Sequence, residues 1–400
     1  MELRAGYKKT EIGVIPEDWE VKTLKDVGEV KMCKRIFNVQ TKEQGDIPFY
    51  KIGTFGKEAD AFISKELYKE FRKKYSFPKV GDILVSAAGT IGRTLIYKGE
   101  DGYFQDSNIV WIENNDKVVS NKYLNFIYEV VNYRTEGGTI QRLYNNIIYS
   151  TPIICPPLPE QTAIAKVLSD TDNLLQALEK KIAEKRLIKQ GAMQELLKPK
   201  EDWVQEILPK VCWYQEGPGL RNWQFTKKGM KVINVTNLVN GYLNLDKTDR
   251  HISMQEFEKM YKHFEIDDKD IVMASSGNSY SKVAVVRKQD LRLLMNTSVI
   301  RFKPMNGLDY NYLLIFLKSN LFKDQIDLLI TGGAQPNFGP AHLKKIKIPL
   351  PSTKEEQTEI ATILSDMNIE IENLEKQLAK YKQVKQGLMQ NLLTGKIRLV

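Results

Sequence analysis

Between positions 356 and 394 the apolar residues Ile360, Leu364, Met367, Ile371, Leu374, Leu378 and Tyr381 step by alternating four and three. This is the period of a helix that presents one stripe to a partner helix. The same step runs through Ile164, Leu168, Thr171, Leu175, Leu178 and Ile182, and it places Lys185 where Tyr381 stands in the other segment. The two segments are copies. EQTAIAKVLSD at 160–170 reappears as EQTEIATILSD at 356–366, and the alignment runs without a gap to 198 and 394 with about half the positions identical. An internal duplication is the direct explanation.

The helix ends are written nearby. Pro159 or Pro351 precedes an acidic first turn, Ser352 and Glu355 are spaced for a capping box, and Pro199 and Gly395 mark the stops. Each helix is predicted to run about 39 residues, or about 58 Å at 1.5 Å per residue. Neither can bury its stripe alone, so the pair is expected to lie antiparallel as a coiled coil. Gly191 and Gly387 interrupt both copies at the same place. A glycine there costs about 1 kcal/mol relative to alanine. It predicts a close helix crossing, with a notch for a docking partner as the other reading.

In front of each helix lies an insert, residues 1–155 and 199–351, and the two keep one order of landmarks. Glu17-Asp18-Trp19 matches Glu201-Asp202-Trp203, and the buried-strand pattern GDILVSAAG at 81–89 matches DIVMASSG at 270–277. QDSNIV at 105–110 matches MNTSVI at 295–300. The pairs Gly137-Gly138 and Gly332-Gly333 each precede a glutamine, Gln141 or Gln335, before a last strand enters a proline hinge. Two copies of one mixed α/β domain explain that order. The fold class is therefore α+β, an order of domain, helix, domain, helix with a pseudo-twofold repeat.

Composition narrows the function less than the pattern does. No apolar run approaches the length of a membrane span, so no membrane partner is expected. Cys33, Cys155 and Cys212 are scattered thiols and MELRAGYKKTEIG lacks the apolar core of a signal peptide, which fits a reducing cytoplasm. The net charge of +9 falls mainly in the second insert and permits an anionic partner without demanding one. Catalytic patterns are missing. There is no Gly-x-x-x-x-Gly-Lys-Ser/Thr loop for a nucleotide phosphate, and no Asn or Asp followed by Pro-Pro and an aromatic, the pattern of adenine-N6 methyltransferases. His251, His263 and His342 are too dispersed to argue for a metal, so no cofactor, metal or catalytic residue is expected on this chain.

PLPEQ at 157–161, PLPSTKEEQ at 349–357, GDILVSAAGTIG at 81–92 and KQGLMQNLLTGKI at 385–397, taken in order, carry a family resemblance. Over essentially its full length the chain resembles the specificity (S) subunit of type I restriction-modification systems. The resemblance implies target-recognition domains at 1–155 and 199–351, joined by helical spacers at 156–198 and 352–400. Each domain would read one half of a bipartite, asymmetric site on double-stranded DNA. Two methyltransferase subunits carrying S-adenosylmethionine would bind the S subunit, and restriction subunits using ATP and Mg²⁺ would complete the nuclease. A stand-alone DNA-binding regulator and a coiled-coil scaffold that binds only protein are the competing readings.

For DNA contact the candidates are basic stretches interleaved with aromatics. Lys65, Lys69, Arg72 and Lys73 would share one side of a helix facing phosphates, or belong to a solvated amphipathic helix. Arg221, Lys227 and Lys228 flank Trp223 after a Gly-Pro-Gly turn, in a loop that a buried Trp223 would otherwise simply pin. Near the glycine pairs stand Gln141, Arg142, Tyr144, Asn145 and Asn146 in the first domain and Gln335, Asn337 and Lys344 in the second. Arg, Asn and Gln are the side chains that read base edges with two hydrogen bonds. The same amides also serve as turn caps.

Overall fold

Both apolar stripes form helices of 39 residues, Leu158–Leu196 and Lys354–Leu392. The computed structural model describes residues 5–133, 142–330 and 336–399. Contacts divide the chain into two units, Met1–Glu179 with Gln377–Val400, and Lys180–Lys376. Each unit thus holds one insert and a part of both long helices.

In the first unit a four-stranded antiparallel sheet runs in the order Gly28–Lys31, Ile109–Asn114, Ile83–Ser86, Thr94–Ile96. A smaller sheet sets Ile47–Tyr50 antiparallel to Phe62–Ile63 and parallel to Tyr103–Phe104. Pro152–Cys155 then pairs with Glu20–Thr23, which returns the end of the insert to its beginning just before the first long helix. The second unit repeats the scheme. Its four-stranded sheet runs Cys212–Glu216, Val299–Pro304, Ile271–Ala274, Val283–Val285. Met230–Ile233 lies parallel to Leu293–Met295 and antiparallel to His251–Ile252, and Lys347–Leu350 closes on Val204–Ile207.

The glutamine in each EQ pair welds helix to domain. Gln161 is fully buried: its Oε1 accepts from the Ser120 amide at 2.9 Å, and its Nε2 donates to the carbonyls of Val118 and Pro156. Gln357 accepts from the Asp309 amide at 2.8 Å. Ser120 and Asp309 are the N-caps of the equivalent helices Asn121–Val130 and Tyr310–Lys318. In both, a tyrosine in the first turn, Tyr123 or Tyr312, donates to a carbonyl of the returning strand, Ile154 or Pro349. A buried amide left unpaired costs about 1–3 kcal/mol, so these bonds hold the helix entry at one angle.

The apolar stripe is buried in two ways. At its ends it enters the domain cores: Ile164 and Leu168 pack with Ile15, Trp19, Met389, Leu392 and Leu393 in the first unit. Ile360 and Leu364 pack with Leu197 and Trp203 in the second, with Met367 at the edge of that core. Further along, Leu175, Leu178, Ile182, Ile371 and Leu374 are buried as well. Each fully buried side chain of this kind contributes about 1.5–3 kcal/mol. The stripe then fades, for Leu378 is half-buried and Tyr381 is 36% exposed.

Charges cross between the helices inside each unit, with antiparallel register. Lys382 meets Glu179 at 2.7 Å and Lys385 meets Asp172 at 2.8 Å in the first unit. Lys185 meets Glu370 at 2.8 Å and Arg186 meets Glu375 in the second. Arg186 and Glu375 are the duplicates of Lys382 and Glu179, so the same pair is made twice.

Two local expectations are corrected, and one alternative falls. The second long helix is capped by Thr353, whose Oγ1 accepts from the Glu356 amide at 3.2 Å, while Ser352 donates instead to the Asp202 carbonyl. Gly191 and Gly387 mark no close crossing, since a Cβ added at either meets nothing within 4 Å. Trp223 is not buried and pins nothing, being 81% exposed.

Candidate nucleic-acid interface

The small-residue turns that follow the central strands organise the candidate readers. Ala87 donates its amide to Asn108 and accepts from Leu143 at 2.8 Å, and Ser275 donates to Ser298 and accepts from Phe338 at 2.9 Å. Leu143 and Phe338 are core residues, which draws the residue before each into register beside the turn. Arg142 bridges Ala88, and Asn337 bridges Ser276. One backbone frame therefore presents arginine in the first domain and asparagine in the second. Both are exposed. The small side chains of Ala88 and Ser276 leave the readers' strand room to approach.

Tyr144, Asn145 and Asn146 continue from Arg142 as the N-cap and first turn of the helix Asn145–Ser150, all exposed. Their side chains make no hydrogen bond among the described residues, so the capping role open to those amides is not taken up. Lys344 is exposed at the end of the short helix Pro340–Leu343. Gln141 and Gln335, with both glycine pairs, lie outside the described residues.

Lys65, Lys69, Arg72 and Lys73 lie on the helix Lys65–Lys74, whose start is fixed by Ser64 Oγ accepting from the Leu67 amide. All four line one shallow depression together with Asp101. Lys65, Lys69 and Lys73 form no ion pair among the described residues. Arg72 is partly spent on structure: it donates to Tyr68 Oη at 2.9 Å and stacks on Phe77. Tyr68 donates in turn to Asp101 at 3.0 Å, and burial of its ring holds the phenol up at about 12.

A second pair of equivalent loops went unmatched in the sequence. The amide of Arg221 donates to Gln224 Oε1 at 2.7 Å, and that of Phe37 donates to Gln40 Oε1 at 2.9 Å. Phe37-Asn38-Val39-Gln40 and Arg221-Asn222-Trp223-Gln224 thus form the same turn. Its third position points outward in both, with Val39 94% and Trp223 81% exposed. Buried Gln224 fixes the second loop by donating to Tyr261 Oη and Glu256. Arg221, Lys227 and Lys228, which flank Trp223 in the sequence, are exposed as well. The shared Asn-x-Gln was the available signal.

Among the described residues no group of three or more His, Cys, Asp or Glu is placed to hold a metal ion. Cys33, Cys155 and Cys212 are buried free thiols, and burial pushes Cys33 and Cys212 up to about 12. No helix among the described residues is long and apolar enough to cross a membrane. The two domains thus share one backbone frame that carries unlike exposed side chains.

The family described as the type I restriction modification DNA specificity domain matches residues 16–185 and 200–383. The chain belongs to this family of DNA specificity subunits, whose role is recognition and not catalysis. It is 53% identical over 173 residues to the putative type I restriction enzyme specificity subunit S.HindORF215P of Haemophilus influenzae, a match that spans 43% of this chain and 45% of that protein. It is 27% identical over 410 residues, 96% of this chain and 94% of the other, to the type I restriction enzyme MjaVIII specificity subunit of Methanocaldococcus jannaschii. The fold is similar to that of the type I restriction-modification S subunit of M. genitalium, with TM-score 0.58, 16% identity and 98% of each chain covered. A chain from a structure of type I restriction-modification complex assembly gives TM-score 0.61 at 14% identity, covering 96% of this chain and 99% of the other.

Proposed function

We propose that the chain reads a bipartite, asymmetric DNA site, with each domain docked on one half-site. The single observation that carries this reading is the pairing of Arg142 with Asn337. They occupy one frame in the two domains and offer different base-edge chemistry, Arg suiting guanine and Asn adenine. The Lys65–Lys74 helix supplies phosphate contacts that position the first domain. Trp223 with Arg221, Lys227 and Lys228 serves the second. The two 39-residue helices, acting as an antiparallel coiled coil, fix the unread spacer, with half-site centres about one DNA turn, near 34 Å, apart.

Two methyltransferase subunits dock on the helices. Exposed Leu187, Ile188, Ile369 and Val384 favour this, because such side chains on an otherwise charged helix gain by being covered. S-adenosylmethionine resides on those subunits, and ATP and Mg²⁺ on the restriction subunits that complete the cytoplasmic complex. The test is single-molecule sequencing of a methylase-deficient host that carries this gene with its neighbouring methyltransferase gene. One motif of two unlike half-sites with a fixed gap is the expected result. No new methylation, with the methyltransferase active beside another S subunit, overturns the reading in favour of a regulator or scaffold.

A further inference from the structure

The duplication exposes a charge exchange that the DNA-reading role does not use. In the first unit Lys385 is held between two carboxylates, Asp172 at 2.8 Å and Glu129 at 3.1 Å. Its duplicate is Lys189. Asp172 is replaced by Asn368, whose Oδ1 accepts from Lys189 Nζ. Glu129 stands nine residues after the N-cap Ser120, and the residue nine after the equivalent N-cap Asp309 is Lys318. Two carboxylates facing a lysine have thus become an amide and a second lysine.

The space around them is open. Lys189 and Lys318 line a cavity of about 990 Å³ that lies wholly within the second unit. Four other charged groups line it: Arg186 and Glu375, which are paired to each other, and Glu372 and Asp324. Neither Lys189 nor Lys318 forms an ion pair among the described residues. Lys189 is half-buried and Lys318 keeps part of its surface in solvent. Partial desolvation lowers the pKa of both lysines, Lys189 lowers that of Lys318 further, and Glu372 offsets only part of this. In the first unit the balance is the opposite, since Glu129 and Asp172 outweigh burial and raise Lys385. Asn320 and Leu321, the first residues of the ten-residue helix Asn320–Leu329, line the same cavity, so the positive end of that helix faces it.

We propose that this cavity binds a phosphate group, held between Lys189 and Lys318 at the start of the Asn320–Leu329 helix. Two ammonium groups and a helix N-terminus are the donor set that phosphate takes. The volume suits a phosphorylated small molecule of nucleotide size. The site differs from the DNA-reading loops and does not depend on them.

The test is calorimetric titration of the full chain with inorganic phosphate and, separately, with adenosine monophosphate. The variants are Lys318→Glu, which restores the first unit's arrangement, and Lys189→Gln, each checked for folding by circular dichroism. Saturable binding at one site per chain is expected, weakened about tenfold or more in each folded variant. Tighter binding of adenosine monophosphate assigns a phosphorylated small molecule, and equal or weaker binding assigns free phosphate. If Lys318→Glu does not fold, Lys189→Gln decides. No saturable binding to the wild type, or undiminished binding to the folded variants, which would mark an adventitious ion only, overturns the proposal.

Discussion

Glu160 and Arg398, 238 positions apart, are joined by two hydrogen bonds: Nε to Oε1 at 2.7 Å and Nη2 to Oε2 at 2.8 Å. Glu160 is 1% exposed and also accepts from Trp19 Nε1 at 2.9 Å and from the Leu399 amide. Arg398 reaches on to Asp18. The first helical turn after the insert, the Trp at the insert's start and the chain beyond the second long helix therefore meet at one carboxylate.

Glu160→Gln removes the charge of Arg398's buried partner, while Asp18 still holds the guanidinium. The expected cost is about 1–3 kcal/mol. Hydrogen exchange across residues 393–399 should quicken, while exchange in the second unit stays unchanged.

The same carboxylate gives the first unit an acid-labile element. Burial alone would raise Glu160, but the bonds from Arg398, Trp19 and Leu399 outweigh it and hold its pKa below the usual range; Arg398 likewise lowers Asp18. A carboxylate depressed in the folded state contributes stability that is full above its unfolded pKa, about 4.3 for Glu, and is lost as pH falls through the folded value. Melting the wild type and Glu160→Gln between neutral and acid pH should show the wild-type advantage shrinking below about pH 4.

Arg142→Ala and Asn337→Ala should each relax one position in one half-site and leave the other half-site intact, at about 1–3 kcal/mol of discrimination. Mapping methylated sites for each variant checks this. Relaxation in both halves from one substitution would disprove the division of labour.

Trp223→Ala should leave stability within about 0.5 kcal/mol, because the ring is largely in solvent, and should weaken DNA binding. Lys69→Ala should weaken binding to all sequences alike and reduce the salt slope by about one. Binding measured across a salt series separates the two behaviours.

Gly191→Ala and Gly387→Ala add a methyl group that meets nothing within 4 Å. Each should stabilise its helix by about 1 kcal/mol. If copurification with the methyltransferase also drops, the glycines form a docking notch.

The elements legible in the sequence were those with a period or a duplicate. The stripe from Ile360 to Leu374 predicted a helix because a four-three step leaves few alternatives, and the second copy predicted the second helix. Side-chain bonding was less visible. Gln161 and Gln357 stand in the PLPEQ and PLPSTKEEQ motifs with no bonding role visible there, since their bonds to the caps of Asn121–Val130 and Tyr310–Lys318 depend on folds made many residues away. The buried alternative for Trp223 fails because its neighbour Gln224 is the residue that turns inward, bonded to Tyr261. Asn-x-Gln is too short a pattern to equate the Phe37 and Arg221 loops without the bonds they make.

The division of the first unit between residues 1–179 and 377–400 has a consequence for synthesis. A ribosome makes everything the second unit needs before it makes Met389, Leu392, Leu393 and Arg398, which the first unit's core and latch require. Of the two, the first domain begins earlier and is completed later. A premature stop just beyond position 376 would therefore strike the domain made earlier, leaving the second unit whole and the first without part of its core.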